Sequence, residues 1–461
     1  MSEIPQQTHA GAEDAVGRSS PVTVLTQGWV TGVTRGALAF VVMAALGQAM
    51  AFAVNLAQDP QASAGTAAKL GWLYFGWFHR VAVTARLTPP VDELVRGLTV
   101  DVGLAMLLAT FLAIAILYRG GRAVADRAGG GAVARALHGM KVAPAYAIPP
   151  LVVSALVDVD IPIPRNALVA GTLQMESSVL PWFVLPLLIA VATGAAGGLR
   201  SGRFELLSRE PWGRRATGAI AGGLRMFVLG LVLSFVGLLV LAVVRPSAAR
   251  TYFEVVSRPP TDQTAVIIAN HTLLLPNQSM WVLVPAMGGC DGLSGGVSAS
   301  FLCYSKFPES VSVSTEGLVA GTTVVEADVE TAPPGYFLFL LVPAASVVLG
   351  GRYAARKRAR LRSEAIAVGA VSGVVFAILV AVGSWLASVS VGLSTPAWGI
   401  PGNTSVLIGP GVWAAGLLAL AWGVIGGGLG GWLGGREFPP MAQLARSSGI
   451  PTRRTGDPAA P

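Results

Sequence analysis

Hydrophobic and polar positions fall in long blocks along this chain. A membrane-spanning helix needs about 20 mostly apolar residues. Eight stretches meet or approach that length: 37–57, 100–118, 142–159, 180–199, 218–244, 336–351, 365–387 and 409–433. The third and sixth are the weakest. The third carries Pro144, Pro149 and Pro150, and the sixth is short. Proline is tolerated in such helices where neighbours re-satisfy the freed carbonyls, usually with a kink. The pattern predicts an all-α polytopic membrane protein of about eight transmembrane helices.

The polar blocks between them are unequal. The connection 119–141 holds Arg119, Arg122, Arg127, Arg135 and Lys141. Arg200, Arg203, Arg209, Arg214 and Arg215 fall in 200–217, and Arg352, Arg356, Lys357, Arg358, Arg360 and Arg362 in 352–364. The alternate short connections hold Arg165 (160–179) or no basic residue (388–408). Lys/Arg-rich loops stay cytoplasmic, so both termini are expected inside. The N-terminal 1–36 and the tail 439–461 are polar and expected to be disordered.

The order of blocks repeats. Gly120-Gly121-Arg122 recurs as Gly350-Gly351-Arg352, and Tyr146-Ala147-Ile148 meets Phe376-Ala377-Ile378 at the same offset of 230 residues. Gly36-Ala37-Leu38-Ala39 resembles Gly218-Ala219-Ile220-Ala221, an offset of 182. Tyr74-Phe75 with Arg80 resembles Tyr252-Phe253 with Arg258. Two parallel four-helix repeats are expected, 37–204 and 205–438, with an insertion in the second. Such an arrangement gives a pseudo-two-fold axis along the membrane normal.

The insertion, 259–335, is expected outside the cytoplasm. Runs such as Val311-Ser312-Val313-Ser314 and Thr322-Thr323-Val324-Val325 favour short strands. Residues 264–287 are more apolar than a loop: they could form a buried strand pair, a re-entrant segment or an interfacial piece, and packing against the bundle is favoured. Cys290 and Cys303 both lie here, and an oxidising outer compartment favours a disulfide between them.

Composition sharpens the class. Charged residues are 12% and hydrophobic residues 53% of the 461, against about 25% charged in soluble domains. The net charge of +8 could suggest nucleic acid, but the basic residues sit in loops, so no nucleic-acid partner is expected. Four lysines and an Ala/Gly/Val bias resemble high-GC bacteria, which points to a bacterial inner membrane. The lipid bilayer is the expected partner, with a small-molecule substrate or a membrane protein unresolved.

Chemistry is sparse. His9, His79, His138 and His271 do not cluster, and no HExxH, P-loop, GxSxG or CxxC occurs. No enzyme activity, cofactor or metal is expected. The aromatic run 71–80 is expected to be an interfacial helix. Asn270, Asn277 and Asn403 match the glycosylation sequon, which would be idle in bacteria. Asp158 and Asp160, with Ser388 and Ser390 at the repeat positions, are the candidate polar site at an outer mouth. The duplication favours a transporter or permease-like protein. The lack of mid-membrane carboxylates favours a scaffold or envelope-assembly partner acting through its outer segment.

Overall fold

The computed structural model describes residues 26–58, 63–88, 99–155, 159–163, 171–200, 211–244, 264–295, 299–303, 306–314, 324–331, 334–358, 361–395 and 400–435. Among these, seven helices are long and apolar enough to cross a membrane. The chain has an α-helical polytopic membrane fold.

In chain order the elements are α1 (Trp29–Gln58), α2 (Ala64–Trp77), β1 (Val83–Thr88), β2 (Thr99–Gly103), α3 (Leu107–Ala128), α4 (Ala132–Met140), α5 (Ala143–Ser154), β3 (Val159–Ile163), β4 (Gly171–Glu176) and α6 (Val179–Arg200). There follow α7 (Pro211–Val244), α8 (Thr264–Ala286), β5 (Cys290–Gly295), β6 (Ala299–Cys303), β7 (Lys306–Ser314), β8 (Val324–Thr331), a 3-10 turn Pro334–Leu340, α9 (Leu341–Arg358), α10 (Arg362–Ala387), β9 (Val389–Thr395), β10 (Ile400–Pro410) and α11 (Val412–Gly434).

Several boundaries differ from the sequence reading. Helix α1 begins at Trp29, inside the stretch expected to be disordered. The third expected span, 142–159, shortens to α5, and the basic connection before it holds a separate helix, α4. Pro144 follows the break between α4 and α5, and a proline has no N–H to bond the carbonyl four residues back, here that of Met140. Twelve residues of α5 reach about 18 Å, less than a bilayer core of about 30 Å. The proline-free counterpart, α10, runs unbroken for 26 residues. Residues 100–103 are strand, not the start of a span.

The helices form two sets. In the first, α6 packs on α3, α4 and α5; in the second, α11 packs on α9 and α10. Each set has its own apolar core: one around Phe75, Tyr146 and Trp182, the other around Met226, Met280, Leu283 and Phe376. Glycines set the closeness of each set. A Cβ at Gly121 would fall 2.3 Å from the Gly194 carbonyl oxygen, one at Gly139 2.1 Å from the same atom, and one at Gly197 2.1 Å from the Tyr118 carbonyl. In the second set, Gly351 and Gly369 press on the Gly427 carbonyl, at 2.3 and 2.2 Å, and Gly430 on that of Val348 at 2.2 Å. Small residues allow such backbone approach between membrane helices.

Strand structure is not confined to the expected insertion. The loops at one end of both sets supply a single antiparallel ten-stranded sheet, ordered β3-β4-β1-β2-β9-β10-β5-β6-β7-β8. Its seam is β2 against β9, where Val102 pairs with Val391 and Asp101 with Gly392. Alternation gives the sheet two characters. Val83, Val102 and Val391 share one face, while Thr84, Asp101 and Gly392 share the other. Val83 belongs to the first core, and Val389 and Ile408 pack against the second, so the apolar face meets the bundle. Arg122, Arg127, Arg135, Arg200, Arg214, Arg215, Arg352 and Arg362 lie at the helix ends opposite the sheet.

Candidate functional site at the junction of the two helix sets

The expected interfacial and strand-like segments are both buried helices. Helix α2 buries Leu73, Tyr74 and Phe75, with Phe75 stacked on Trp182 at 6.2 Å between ring centroids. Helix α8 touches α7, α9 and α10 of its own set and α1 and α3 of the other. It thus occupies the space between the sets, and Met280, Trp281, Leu283 and Val284 are buried there. The expectation of packing against the bundle holds for this segment; the strand alternative does not.

Helix α8 carries one buried amide that reaches across. Asn277 Oδ1 accepts from the Leu107 N–H at 3.0 Å, and its Nδ2 donates to the Ala105 carbonyl at 2.7 Å. Leu107 opens α3, whose own N-cap residue, Met106, makes no side-chain cap bond. The first N–H groups of a helix lack internal partners, and here a distant asparagine serves as the cap. Asn277 is 3% exposed, so its sequon is sterically closed.

Arg80 makes the reciprocal crossing. It follows α2 with φ 60°, the only positive φ at a non-glycine residue among the described residues. Its Nη1 donates to the carbonyls of Trp385 and Ser388, the latter at 3.0 Å. The guanidinium lies 4.4 Å from the centroid of the Trp385 ring. Burial pulls its pKa down to about 10, so it stays charged at neutral pH. The C-terminal carbonyls of a helix carry partial negative charge, which a cation at the end of α10 offsets. Trp281 Nε1 closes the same helix end by donating to the Ala387 carbonyl at 3.1 Å.

The turn that holds Arg80 has a counterpart after α8. The N–H of His79 bonds the Gly76 carbonyl, and that of Arg80 bonds Trp77. Met287 and Gly288 make the same bonds to Val284 and Pro285, and Gly288 has φ 95°. Glycine stands in the left-handed position of one turn, arginine in the other. The sequence match of Arg80 to Arg258 falls outside the described residues at its second member.

Of the expected outer-mouth residues, two meet at this junction. Ser388 is fully buried; its Oγ donates to the Ser384 carbonyl at 2.6 Å and to that of Pro410 at 3.5 Å. Ser390 Oγ donates to the Gly103 carbonyl at 3.2 Å across the seam. Asp160 is exposed on β3 opposite Gln174. Four strand steps, about 19 Å at typical spacing, separate β3 from β9. Asp158 lies outside the described residues.

Cys290 and Cys303 face each other across β5 and β6 and form a disulfide. Next to it, Asp291 is fully buried, and neither carboxylate oxygen has a hydrogen-bond partner among the described residues. Burial pushes its carboxyl well above the usual 3.8. In the first set, His79 Nδ1 is 2.8 Å from the Phe75 carbonyl and its Nε2 is 2.7 Å from the Tyr146 hydroxyl. A carbonyl only accepts, so Nδ1 carries the proton and Nε2 accepts from Tyr146. Desolvation lowers this imidazole to about 4, leaving it neutral and structural. Among the described residues no group of three or more His, Cys, Asp or Glu could hold a metal.

The sequence reading gave Arg80, Asn277, Trp281 and Asp291 no place in a functional site. The available signal was the polar interruption of an apolar run by Asn277, since polar groups at membrane depth need partners. Comparison with family profiles, with curated proteins and with solved structures gives no match to this chain.

Proposed function

We propose that this is a non-transporting scaffold of a bacterial inner membrane, which presents a rigid outer sheet to another component of the envelope. The observation that carries this reading is α8: it fills the space between the helix sets with Met280, Trp281 and Leu283. Asn277 and Arg80 then tie each set to a helix end of the other. Alternating access requires one bundle to rock against the other, and these buried bonds with the continuous β2–β9 seam oppose such rocking.

The polar sheet face suits a partner surface. Thr84 donates to Asp101, and Arg86 pairs with Glu176 at 3.1 Å, both on that face. A permease is the second reading, favoured by one observation, the unpartnered Asp291. Basic helix ends opposite the sheet support cytoplasmic termini and an outward sheet.

Descent from a duplicated four-helix unit is part of the same proposal. Support comes from matched contacts: Gly121 on Gly194 and Gly351 on Gly427, Gly197 on Tyr118 and Gly430 on Val348. An offset of 187 for the first helices, in place of 182, is supported by Gly36 meeting Val142 and Ala145 as Gly223 meets Ser372 and Val375. Ala/Gly-rich helices resemble themselves at several registers, so sequence alone does not choose between the two offsets. The second copy carries the longer α8 and the extra strands of β5–β8.

Photo-crosslinking from Arg86 and Ser390 in intact cells tests the scaffold role. A discrete adduct with one envelope protein is expected. Protein-dependent solute flux in reconstituted vesicles, with no adduct, would overturn it in favour of transport.

A further inference from the structure

Exposed tryptophans stand near both ends of α11, Trp413 on the sheet side and Trp432 at the other end. Tryptophan favours the two membrane–water interfaces. These two are 19 residues apart, about 29 Å of helix, which matches a bilayer core of about 30 Å. They bracket the membrane along α11.

Contacts along α8 then show how deep that helix goes. At Asn277 it is level with the first residue of α3. Trp281 reaches the Ala387 carbonyl at the end of α10 and lies beside Gly409 at the end of β10. Leu283 lies against Gly230, in the middle of α7. Last, the Met287 carbonyl accepts from Trp422 Nε1 at 2.9 Å. Trp422 is 9 residues along α11 from Trp413, about 14 Å. Its indole leans back toward the start of the helix, which leaves the Met287 carbonyl about 10 Å inside the bracket. From that tip the chain turns at Gly288 and Gly289, and Asp291 already pairs with Pro410, just before α11. The segment enters and leaves on the sheet side.

Below the tip the two helix sets part. Apart from α8 and the β2–β9 seam, no helix of the first set packs closely on a helix of the second among the described residues. The tip itself faces open space: a Cβ on Gly288 would meet no atom within 4 Å, and Gly288 is partly exposed. Gly289, by contrast, is packed against Val284 and Leu418. Non-helical backbone at such depth is stable only where protein buries it or where it lines water. A partly exposed turn meets the second condition.

We propose that α8 is a re-entrant plug. It closes the outer half of the junction, and beneath its tip the two sets enclose a water-filled recess that opens toward the basic helix ends. The recess is a dead end, as a scaffold that passes no solute requires, and its cytoplasmic opening rests on the outward placement of the sheet proposed above. The test uses the full disulfide-bonded chain in sealed vesicles, with one added thiol read by a membrane-impermeant maleimide. Thiols react as thiolates, which form only where water reaches them. Arg356→Cys, at an exposed position on a basic helix end, marks the face of those ends. Gly288→Cys should label from that face about tenfold or more faster than from the other. Met287→Cys keeps the glycine, so it serves as reporter if the left-handed position rejects a side chain; it should show the same sidedness, more slowly. If positions 288 and 356 share the outer face, the outward sheet is overturned and the recess is upheld. Labelling of both reporters from the face opposite Arg356→Cys, or from neither face until the protein is denatured, would overturn the recess.

Discussion

Arg80 donates a hydrogen bond at 3.0 Å to the carbonyl of Ser388, which stands 308 residues further along the chain. The bond joins the end of α2 to the end of α10, and so one helix set to the other. It also explains a costly backbone: a left-handed conformation disfavours any residue with a Cβ, and the matching turn uses Gly288. The strain at Arg80 is tolerated because its side chain caps a foreign helix.

Two substitutions at this position separate the side chain from the backbone. Arg80→Ala loses the carbonyl bonds and keeps the strain. Arg80→Gly loses the bonds and relieves the strain, so it should be the more stable of the two by about 1 kcal/mol. Thermal denaturation in detergent would show both below wild type, with Arg80→Gly the higher. The reverse order would mean that the turn is not strained.

Asn277 is expected to be similarly sensitive. Replacement by Ala removes a donor and an acceptor from a buried cap and should cost about 2–3 kcal/mol. Asn277→Asp offers no donor to the Ala105 carbonyl, and a charge would be buried beside it. It should unfold at a lower temperature than Asn277→Ala.

The Cys290–Cys303 disulfide closes a short loop, with a sequence separation of 13. Loops of that size contribute about 3 kcal/mol in the chain-entropy account. Reductant should lower the thermal midpoint of wild type and leave a double Cys→Ser variant unmoved. Thiol labelling of unreduced protein should find no reactive cysteine.

Asp291 predicts a pH dependence with a definite sign. Its folded pKa is raised above the unfolded value of 3.8. Below 3.8 both states hold the proton, and stability is unaffected by this group. As pH rises from there through the folded pKa, the unfolded state ionises first and gains, so stability falls. Midpoints measured from pH 4 to 8 should drop further for wild type than for Asp291→Asn. Parallel curves would place a counter-ion at Asp291.

Some of this is legible in the sequence. The apolar blocks identified seven continuous helices, with ends wrong by several residues at α1, α3, α7 and α9. Pro144, Pro149 and Pro150 marked the weak third span, which is only the short helix α5. Cys290 and Cys303 were paired on compartment alone. The candidate site was only partly legible: Ser388 and Ser390 meet at the junction, while Asp160 lies at the far edge of the sheet. Repeat-based alignment could not foresee that the loops of both sets would interleave into one sheet.

By itself, the sequence determined that this chain suits a bilayer and which ends of its helices are basic. Those are properties of length, hydrophobicity and charge, carried by consecutive residues. Only the tertiary structure decided that α8 lies between the sets, that β2 joins β9, and that Arg80 and Asn277 cap helices not their own. Each of these depends on partners hundreds of residues away, and a helix end or strand edge accepts any suitably placed donor. Which one arrives is set by packing in three dimensions.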